Sequence, residues 1–308
     1  MPNRHPLVTI ILPVYNGEKS LQATLDSLLV QTFDNFELLI GIDGTKDDSK
    51  FIAESIEDNR ITVFENPVNL GLGPNLNKLI SLASPHSEFI AMAEQDDIYV
   101  PKRLEWQVEV MNLHPKVGLV SGIAEFISPK KKVLFPGLLL RGEQFSQGKK
   151  LFKFLYIHQL KVVNTCMMFR KSTHSDYNLI FRNTYGNFNI DWDYVLRFSL
   201  ISEIYGIQKK LVSMNRHVIN NSVTTNKAQQ HKASRQLLKD FKNEFSVLIK
   251  PKDYRKALKM HRKIELGHHS KLGILFYSTY YFLLYFDPYF LKYIILRIRK
   301  YFKTKRET

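Results

Sequence analysis

Within its first hundred residues the chain repeats one pattern: a short apolar run, a turn, then apolar residues at helical spacing. The runs are residues 7–13 (LVTIILP), 36–42 (FELLIGI), 61–65 (ITVFE) and 88–93 (EFIAMA). They are rich in β-branched residues and almost unbroken by polar ones, as strands buried on both faces are. Between the first two, Leu21, Leu25, Leu28 and Leu29 share one helical face. Asp47-Asp48-Ser49 opens a short helix reaching Ile56, and Gly71 and Gly73 turn the chain into a helix carrying Leu76, Leu79, Ile80 and Ala83. Strands alternating with helices over short connections predict an α/β fold of βαβ units.

The fourth run ends abruptly in acid. Residues 89–98 read FIAMAEQDDI, with Glu94, Asp96 and Asp97 just past the apolar stretch. In open α/β sheets ligands sit beyond the carboxyl ends of the strands. Clustered hard oxygen donors there suit Mg2+ or Mn2+ carrying the phosphates of a substrate. The competing reading is a solvated acidic loop that caps the helix opened by Pro101.

The 308 residues, 44% of them hydrophobic, suffice for one large α/β domain and an appendage. The net charge of +15 is unevenly placed. From Lys227 onward stand 20 Lys+Arg against 6 Asp+Glu, which leaves 24 against 23 in residues 1–226. A near-neutral body thus carries a basic, aromatic tail, of a kind that meets anionic lipid or nucleic acid. The single cysteine, Cys166, excludes an internal disulfide and reads as core packing within the apolar residues 162–169. The first six residues are polar and the first apolar run is short, so no secretory leader is expected.

Past the acidic loop, Leu104, Val108 and Met111 mark a helix and residues 117–121 a strand. Residues 122–135 read as a hairpin turning at Pro129-Lys130-Lys131-Lys132, and residues 162–169 as a strand. The sequence 183–189 (NTYGNFN) reads as a mobile loop, and Asp191-Trp192-Asp193 as the start of a helix before a returning strand over 202–214. The glycine-punctuated stretch 137–148 gives no clear pattern.

Asp43 ends the second run, where an acid can bond a nucleotide's ribose or base. A nicotinamide-binding fold wants such an acid too, but needs G-x-G-x-x-G after its first strand. Here that turn is PVYNGE, with one glycine, and Gly71-Leu72-Gly73 lacks the remaining spacing. No glycine-rich turn ends in Gly-Lys-Ser/Thr, which excludes a P-loop. Without such a cradle for a diphosphate, a cation held by the acidic loop is the natural substitute.

Five motifs in this order resemble the inverting, GT-A-fold glycosyltransferases of family two. They are VTIILPVYN at 8–16, IDGT at 42–45, NLG at 69–71, EQDD at 94–97, and DWD at 191–193 with Arg197. The resemblance implies a GT-A catalytic domain over residues 1–225, binding a nucleotide sugar through about 1–122 and the acceptor through about 123–225, followed by a helical extension over 226–308. It implies that Pro13, Tyr15, Glu18 and Gln95 line the nucleotide pocket and that Asp43 bonds the base. Asp96 would ligate the metal, Glu94 would face the ribose or a metal-bound water, and Asp97 would orient the loop or approach the donor sugar. Ile42 and Ile190 stand where the family often has acids, and Glu94 where it usually has aspartate.

Asp191 matches the family's catalytic base, which takes the acceptor hydroxyl's proton; an N-cap is the competing reading. Trp192 would stack on a sugar or pack its helix, and Asp193 would reach the acceptor side or act as a first-turn acid. Arg216-His217 resembles the family's Arg-x-x-His region, so His217 would complete the metal shell, touch the diphosphate, or lie on the surface.

In the tail, residues 228–260 read as helical and basic. Residues 272–286 (LGILFYSTYYFLLYF) carry no charge but are shorter than the ~18–20 residues of a spanning helix. Lys292, Arg297, Arg299 and Lys300 then alternate with Phe, Tyr and Ile, which suits helices lying in a membrane interface or a helical pair packed on the catalytic domain. The expectation is therefore a metal-dependent inverting hexosyltransferase, peripheral on the cytoplasmic face of the membrane. It would move a sugar from a nucleotide diphosphate, UDP foremost, to a lipid-linked or growing surface glycan. A nucleotidyltransferase would want a glycine-rich basic first loop, which is missing. A nucleic-acid-binding tail would leave the ordered carboxylates without a purpose, so nucleic acid is not the expected partner.

Overall fold

The computed structural model describes residues 5–128, 131–215 and 226–304. The chain divides into two compact units, residues 1–155 with 160–225 and residues 156–159 with 226–308.

The first unit opens β1 (Leu7–Val14), α1 (Leu21–Leu29), β2 (Phe36–Asp43), α2 (Ser49–Glu54), β3 (Ile61–Asn66), α3 (Leu72–Leu82) and β4 (Ser87–Met92). This is the alternation read from the sequence. A three-residue strand, β5 (Asp97–Tyr99), then sits inside the acidic stretch, which the sequence reading treated as loop, before α4 (Arg103–Leu113). The expected hairpin is present as β6 (Val117–Ser128) and β7 (Lys131–Phe135); two residues of its anticipated turn, Pro129 and Lys130, lie outside the described residues.

The unread stretch 137–148 holds a 3-10 turn (Gly137–Arg141) and β8 (Gln144–Phe145), followed by α5 (Lys149–His158). The strand anticipated over 162–169 is instead a 3-10 turn (Asn164–Cys166) running into β9 (Met168–Arg170) and α6 (Lys171–Asp176). Its residues are apolar because they are buried, which a turn in the core requires as much as a strand does. Cys166 is free and fully buried there. The anticipated loop at 183–189 contains β10 (Thr184–Asn187), and α7 (Ile190–Phe198) and β11 (Glu203–Asn215) complete the unit.

Among the described residues ten strands form one mixed sheet, with eight in the order β3-β2-β1-β4-β9-β6-β11-β5 and β7 and β8 pairing on β6 and β11. β1, β2, β3 and β4 run parallel, while β9 is antiparallel to both β4 and β6. Val8, Ile10, Ile11 and Leu12 of the central β1 have no exposed surface, with Leu25, Leu28 and Phe36 in the same core. Because β1, β2 and β4 share a direction, their carboxyl ends open at one edge.

The second unit contains α8 (Lys227–Glu244), α9 (Pro251–Leu266), α10 (Lys271–Tyr285) and α11 (Tyr289–Thr304). The stretch 228–260 is helical as anticipated, divided into two helices because Pro251 starts a new one and the Asp253 carboxylate accepts from the Lys250 amide at 3.2 Å. Arg235 and Arg262 both pair with Glu265, at 2.5 and 2.6 Å. Leu266, Tyr281 and Phe290 form a small core in which Tyr277, Phe282, Tyr285 and Tyr293 pack. Asp287, between α10 and α11, takes Lys263 at 2.7 Å and Lys259 at 3.1 Å. Among the described residues, no helix is long and apolar enough to cross a membrane.

Candidate active site

The sheet register brings the functional turns together. Val14 pairs with Ile42, Asp43 with Asn66 and Ile11 with Met92, so the turns after β1, β2 and β4 leave the sheet side by side. Pro13 is buried near the carboxyl end of strand β1, whereas Tyr15 and Glu18 are exposed beyond it. Gln95, from the acidic loop, accepts from Tyr15 N at 2.8 Å and donates to Tyr15 O at 3.0 Å. Its own carbonyl accepts from Thr24 of α1 at 2.9 Å.

Asp47, which the sequence reading used only to open a helix, organises the turn after β2. Its carboxylate accepts from Thr45 Oγ1 at 2.6 Å, from the Ser49 amide and hydroxyl, and from the Glu18 amide at 3.0 Å. Burial alone would raise its pKa, but these donors overcome that and hold it at about 2. An Asp two residues before a Ser at a helix start is the local signal that marks this role.

Asp43 is buried, and its carboxylate accepts from Asn66 Nδ2 and from the amides of Leu70 and Gly71, each at 2.9 Å. The residue assigned to the base thus anchors the turn that starts α3. Gly71 enters that turn at φ +87°, where a side chain would be strained and a Cβ would meet Asn183 Nδ2 at 2.5 Å.

The first-turn amides of α3 are bonded from the segment before α7. Gly73 N donates to Asn183 Oδ1 at 2.9 Å and Leu72 N to Asn187 Oδ1 at 3.3 Å. Asn77 and Phe181 exchange two bonds of 2.9 Å. The stretch 183–189, anticipated as a loop, is thus tied to α3: its asparagines satisfy amides that a helix leaves without intrahelical partners.

The acidic loop itself brings one oxygen each of Glu94, Asp96 and Asp97 within 4.8 Å of one another. Asn164, in the 3-10 turn before β9, donates to Glu94 Oε1 at 2.6 Å. The Glu94 amide donates to Tyr99 Oη at 2.7 Å, and Tyr99 Oη bonds Thr165 Oγ1 in turn. Beside them Arg103 is completely buried, donating to Met92 O at 2.6 Å and Gln107 Oε1 at 3.0 Å, with its guanidinium 4.5 Å from the Tyr99 ring centre. Neither Arg103 nor Thr165 had a signal in the sequence.

Of the three acids only Asp97 feels the charge of the buried Arg103, and the excess of negative charge shows in their proton affinity. Burial, then the charge of Asp96, and then that of Asp191 push Glu94 up to about 7, against the pull of the Asn164 hydrogen bond. Burial raises Asp96, and burial with the charges of Glu94 and Asp96 raises Asp97 well above the usual carboxylate range. Among the described residues, Asp97 Oδ2 and Asn164 Oδ1 are buried with no hydrogen-bond partner. Hard oxygens, excess negative charge and unused lone pairs fit a divalent cation.

Asp191 lies in the first turn of α7 and is half-buried. Asn189, not Asp191, occupies the N-cap position, in a left-handed conformation at φ 57°, and Lys161 donates to its side chain at 3.3 Å. Asp191 contributes to the rise in Glu94, which puts its charge on the side of the acidic loop. Two further assignments are corrected. Trp192 is 1% exposed, so its ring packs in the core instead of offering a face to a sugar. Asp193 is 2% exposed and ion-paired to Arg197 at 2.9 Å and Arg182 at 3.4 Å, which makes it a structural acid. His217 lies outside the described residues.

Comparison with known proteins agrees with this layout. The chain is 29% identical over 229 residues to an uncharacterized glycosyltransferase of Rickettsia prowazekii, covering 72% of this chain and 67% of that protein. It is 32% identical over 135 residues to the Escherichia coli UDP-Glc:alpha-D-GlcNAc-diphosphoundecaprenol beta-1,3-glucosyltransferase WfgD, covering 41% of this chain and 52% of WfgD. Residues 1–349 of Staphylococcus aureus TarS superpose with a TM-score of 0.63 at 16% identity, over 83% of this chain and 72% of that one. That structure shares the GT-A sheet and its flanking helices, and TarS has also been solved in complex with UDP-GlcNAc. Residues 9–177, from β1 through the acidic loop to the end of α6, match the glycosyl transferase family 2 description, and the chain belongs to that family.

Proposed function

We propose that this glycosyltransferase transfers one sugar from a UDP-sugar, with inversion at the anomeric carbon, to a hydroxyl of a lipid-linked or growing surface glycan. The observation that carries the reading is the cluster of Glu94, Asp96 and Asp97 oxygens within 4.8 Å of one another past β4, with Asp191 in the first turn of α7 near enough for its charge to act on Glu94. It supports one cleft with a carboxylate cluster on the donor side and a separate carboxylate for the acceptor. WfgD uses UDP-Glc and a diphosphoundecaprenol-linked acceptor by its name, and that supports the same classes here.

Asp191 takes the proton of the acceptor hydroxyl as that oxygen forms its bond to the anomeric carbon. The bond from that carbon to the diphosphate oxygen breaks, and the electron pair leaves with the diphosphate. Attack opposite the leaving group inverts the configuration in one displacement. Asp96, with Glu94 and Asp97, would hold Mn2+ or Mg2+, which when bound neutralises charge on the departing diphosphate. Tyr15, held by Gln95, and the turn anchored by Asp43 line the nucleotide side.

The test is a screen of UDP- and GDP-sugars for hydrolysis and transfer, with and without Mn2+. Asp191→Asn is expected to bind the donor normally and lose transfer by at least about a hundredfold. Asp96→Ala is expected to weaken nucleotide binding itself. Unchanged transfer by Asp191→Asn would overturn the assignment of the base.

A further inference from the structure

We propose that the outward faces of α10 and α11 form a docking surface for an anionic lipid bilayer, with α10 lying in the plane of the headgroups. The inner side of α10 is committed to the protein core: Ser278 and Tyr281 are buried and Tyr277, Phe282 and Tyr285 pack beside them. The opposite stripe is apolar as well. Leu272, Leu275, Phe276, Tyr280 and Leu283 are 81, 52, 65, 51 and 61% exposed. Their spacing of three and four residues makes one continuous face. In α11, Leu291, Ile295 and Ile298 repeat that spacing and are 37, 51 and 50% exposed. Scattered exposed leucines need no explanation, but aligned faces of this kind mark an interaction surface.

Charge selects the occupant. Residues 271–286 and 288–306 contain no Asp or Glu, and the chain from Lys227 onward carries 20 basic against 6 acidic residues. Lys292 and Arg299 are exposed one turn-step to the side of the α11 stripe. A second copy of the chain would bring the same positive excess against itself. A surface of anionic headgroups over hydrocarbon complements both the apolar stripe and its basic flank. Fifteen residues of α10 extend about 22 Å at 1.5 Å per residue, short of the ~30 Å hydrocarbon core, so the helix lies along the interface.

The experiment is flotation of the full chain with phosphatidylcholine vesicles, with or without phosphatidylglycerol, beside light scattering of the protein alone. The expected result is binding to the anionic vesicles that weakens with salt. Leu275→Glu/Phe276→Glu/Leu283→Glu, at exposed positions, should lower that partition at least about tenfold while circular dichroism and donor hydrolysis stay unchanged. Lys292→Glu/Arg299→Glu should flatten the salt dependence and keep the fold. Equal flotation of the parent and the triple variant would overturn the proposal. So would a parent that ignores vesicles, or one that self-associates through this face and is made monomeric by the triple variant.

Discussion

The side-chain amide of Gln95 holds the backbone of Tyr15 from both sides, accepting from its N–H at 2.8 Å and donating to its carbonyl at 3.0 Å. A side chain of the acidic loop thereby completes the strand-like pairing that β1 lacks past Val14. Gln95→Ala removes both bonds at a half-buried position, and the expected loss of stability is about 1 kcal/mol. The larger effect is expected on the donor, with KM rising several-fold and kcat changing less, if the freed turn lines the nucleotide side as proposed. Steady-state kinetics beside a thermal melt checks this. A lower melting temperature with unchanged KM would reduce the clamp to a structural contact.

Gly73 carries a close approach between α3 and the segment leading to Asp191. A Cβ there would stand 2.4 Å from Asn183 Oδ1 and 2.8 Å from the Phe181 carbonyl oxygen. Gly73→Ala must push that segment away and break the 2.9 Å bond from Gly73 N to Asn183. The expected cost is about 1–3 kcal/mol, with kcat falling more than donor affinity since the displaced segment ends at Asp191. Urea unfolding and kinetics of the variant decide it.

These two contacts also show what the sequence could carry. Strands such as LVTIILP and FELLIGI advertise themselves because burial on both faces demands unbroken apolar residues. The acids of EQDD stand out because nothing apolar explains them. Asp43 was visible as an acid at a strand end, but whether it faces a ligand or ties its own turn depends on Asn66, Leu70 and Gly71 meeting it in space. NTYGNFN looked like free loop because asparagine and glycine favour turns, and the amides of α3 that Asn183 and Asn187 satisfy are more than a hundred residues earlier. Arg103, on a helix whose neighbours are mixed, gave no sign that it would be entirely buried beside Asp97. Long-range polar pairing leaves no periodicity to read.

Cation affinity should depend on pH in a defined direction. Glu94, pushed up to about 7 by burial and by Asp96 and Asp191, is half protonated near neutrality, and a metal ligand must give that proton up. Mn2+ binding is therefore expected to strengthen as pH rises through about 7 and to weaken up to tenfold per unit below it. Calorimetric titrations at pH 6 and pH 8 in buffers of differing ionisation heat would read both the affinity and the proton released. Glu94→Gln should make the dependence shallower and leave the part that Asp97, also raised by burial and by its acidic neighbours, contributes, and Asp96→Asn should weaken binding at every pH.

The helical unit is expected to lose stability in acid through a chain of three histidines. Gln159 Nε2 donates to Ala257 O at 2.8 Å, so its Oε1 faces His261 Nδ1, also at 2.8 Å, and that nitrogen must carry the proton. His261 Nε2 then accepts from His231 Nδ1 at 3.2 Å, and His231 Nε2 from His268 Nδ1 at 3.0 Å. Every ring in this chain is neutral, and an added proton on His231 or His261 turns an acceptor into a donor facing a donor. Burial holds His261 down to about 3 and His231 to about 4; neighbouring histidines and Arg235 add to this, and Glu265 opposes it. In the unfolded chain both return to about 6.5, so between that value and about pH 4 the unfolded state binds more protons. Stability is thus full above pH 6.5 and falls as pH drops, by an amount on the order of a few kcal/mol for the pair. His261→Gln supplies an amide that accepts and donates along the same path without titrating. It should start slightly less stable at pH 7.5 yet lose less on acidification. Thermal melts followed by circular dichroism from pH 7.5 to 4.5 would show the difference in slope, and equal slopes for parent and variant would remove the histidine chain as its cause.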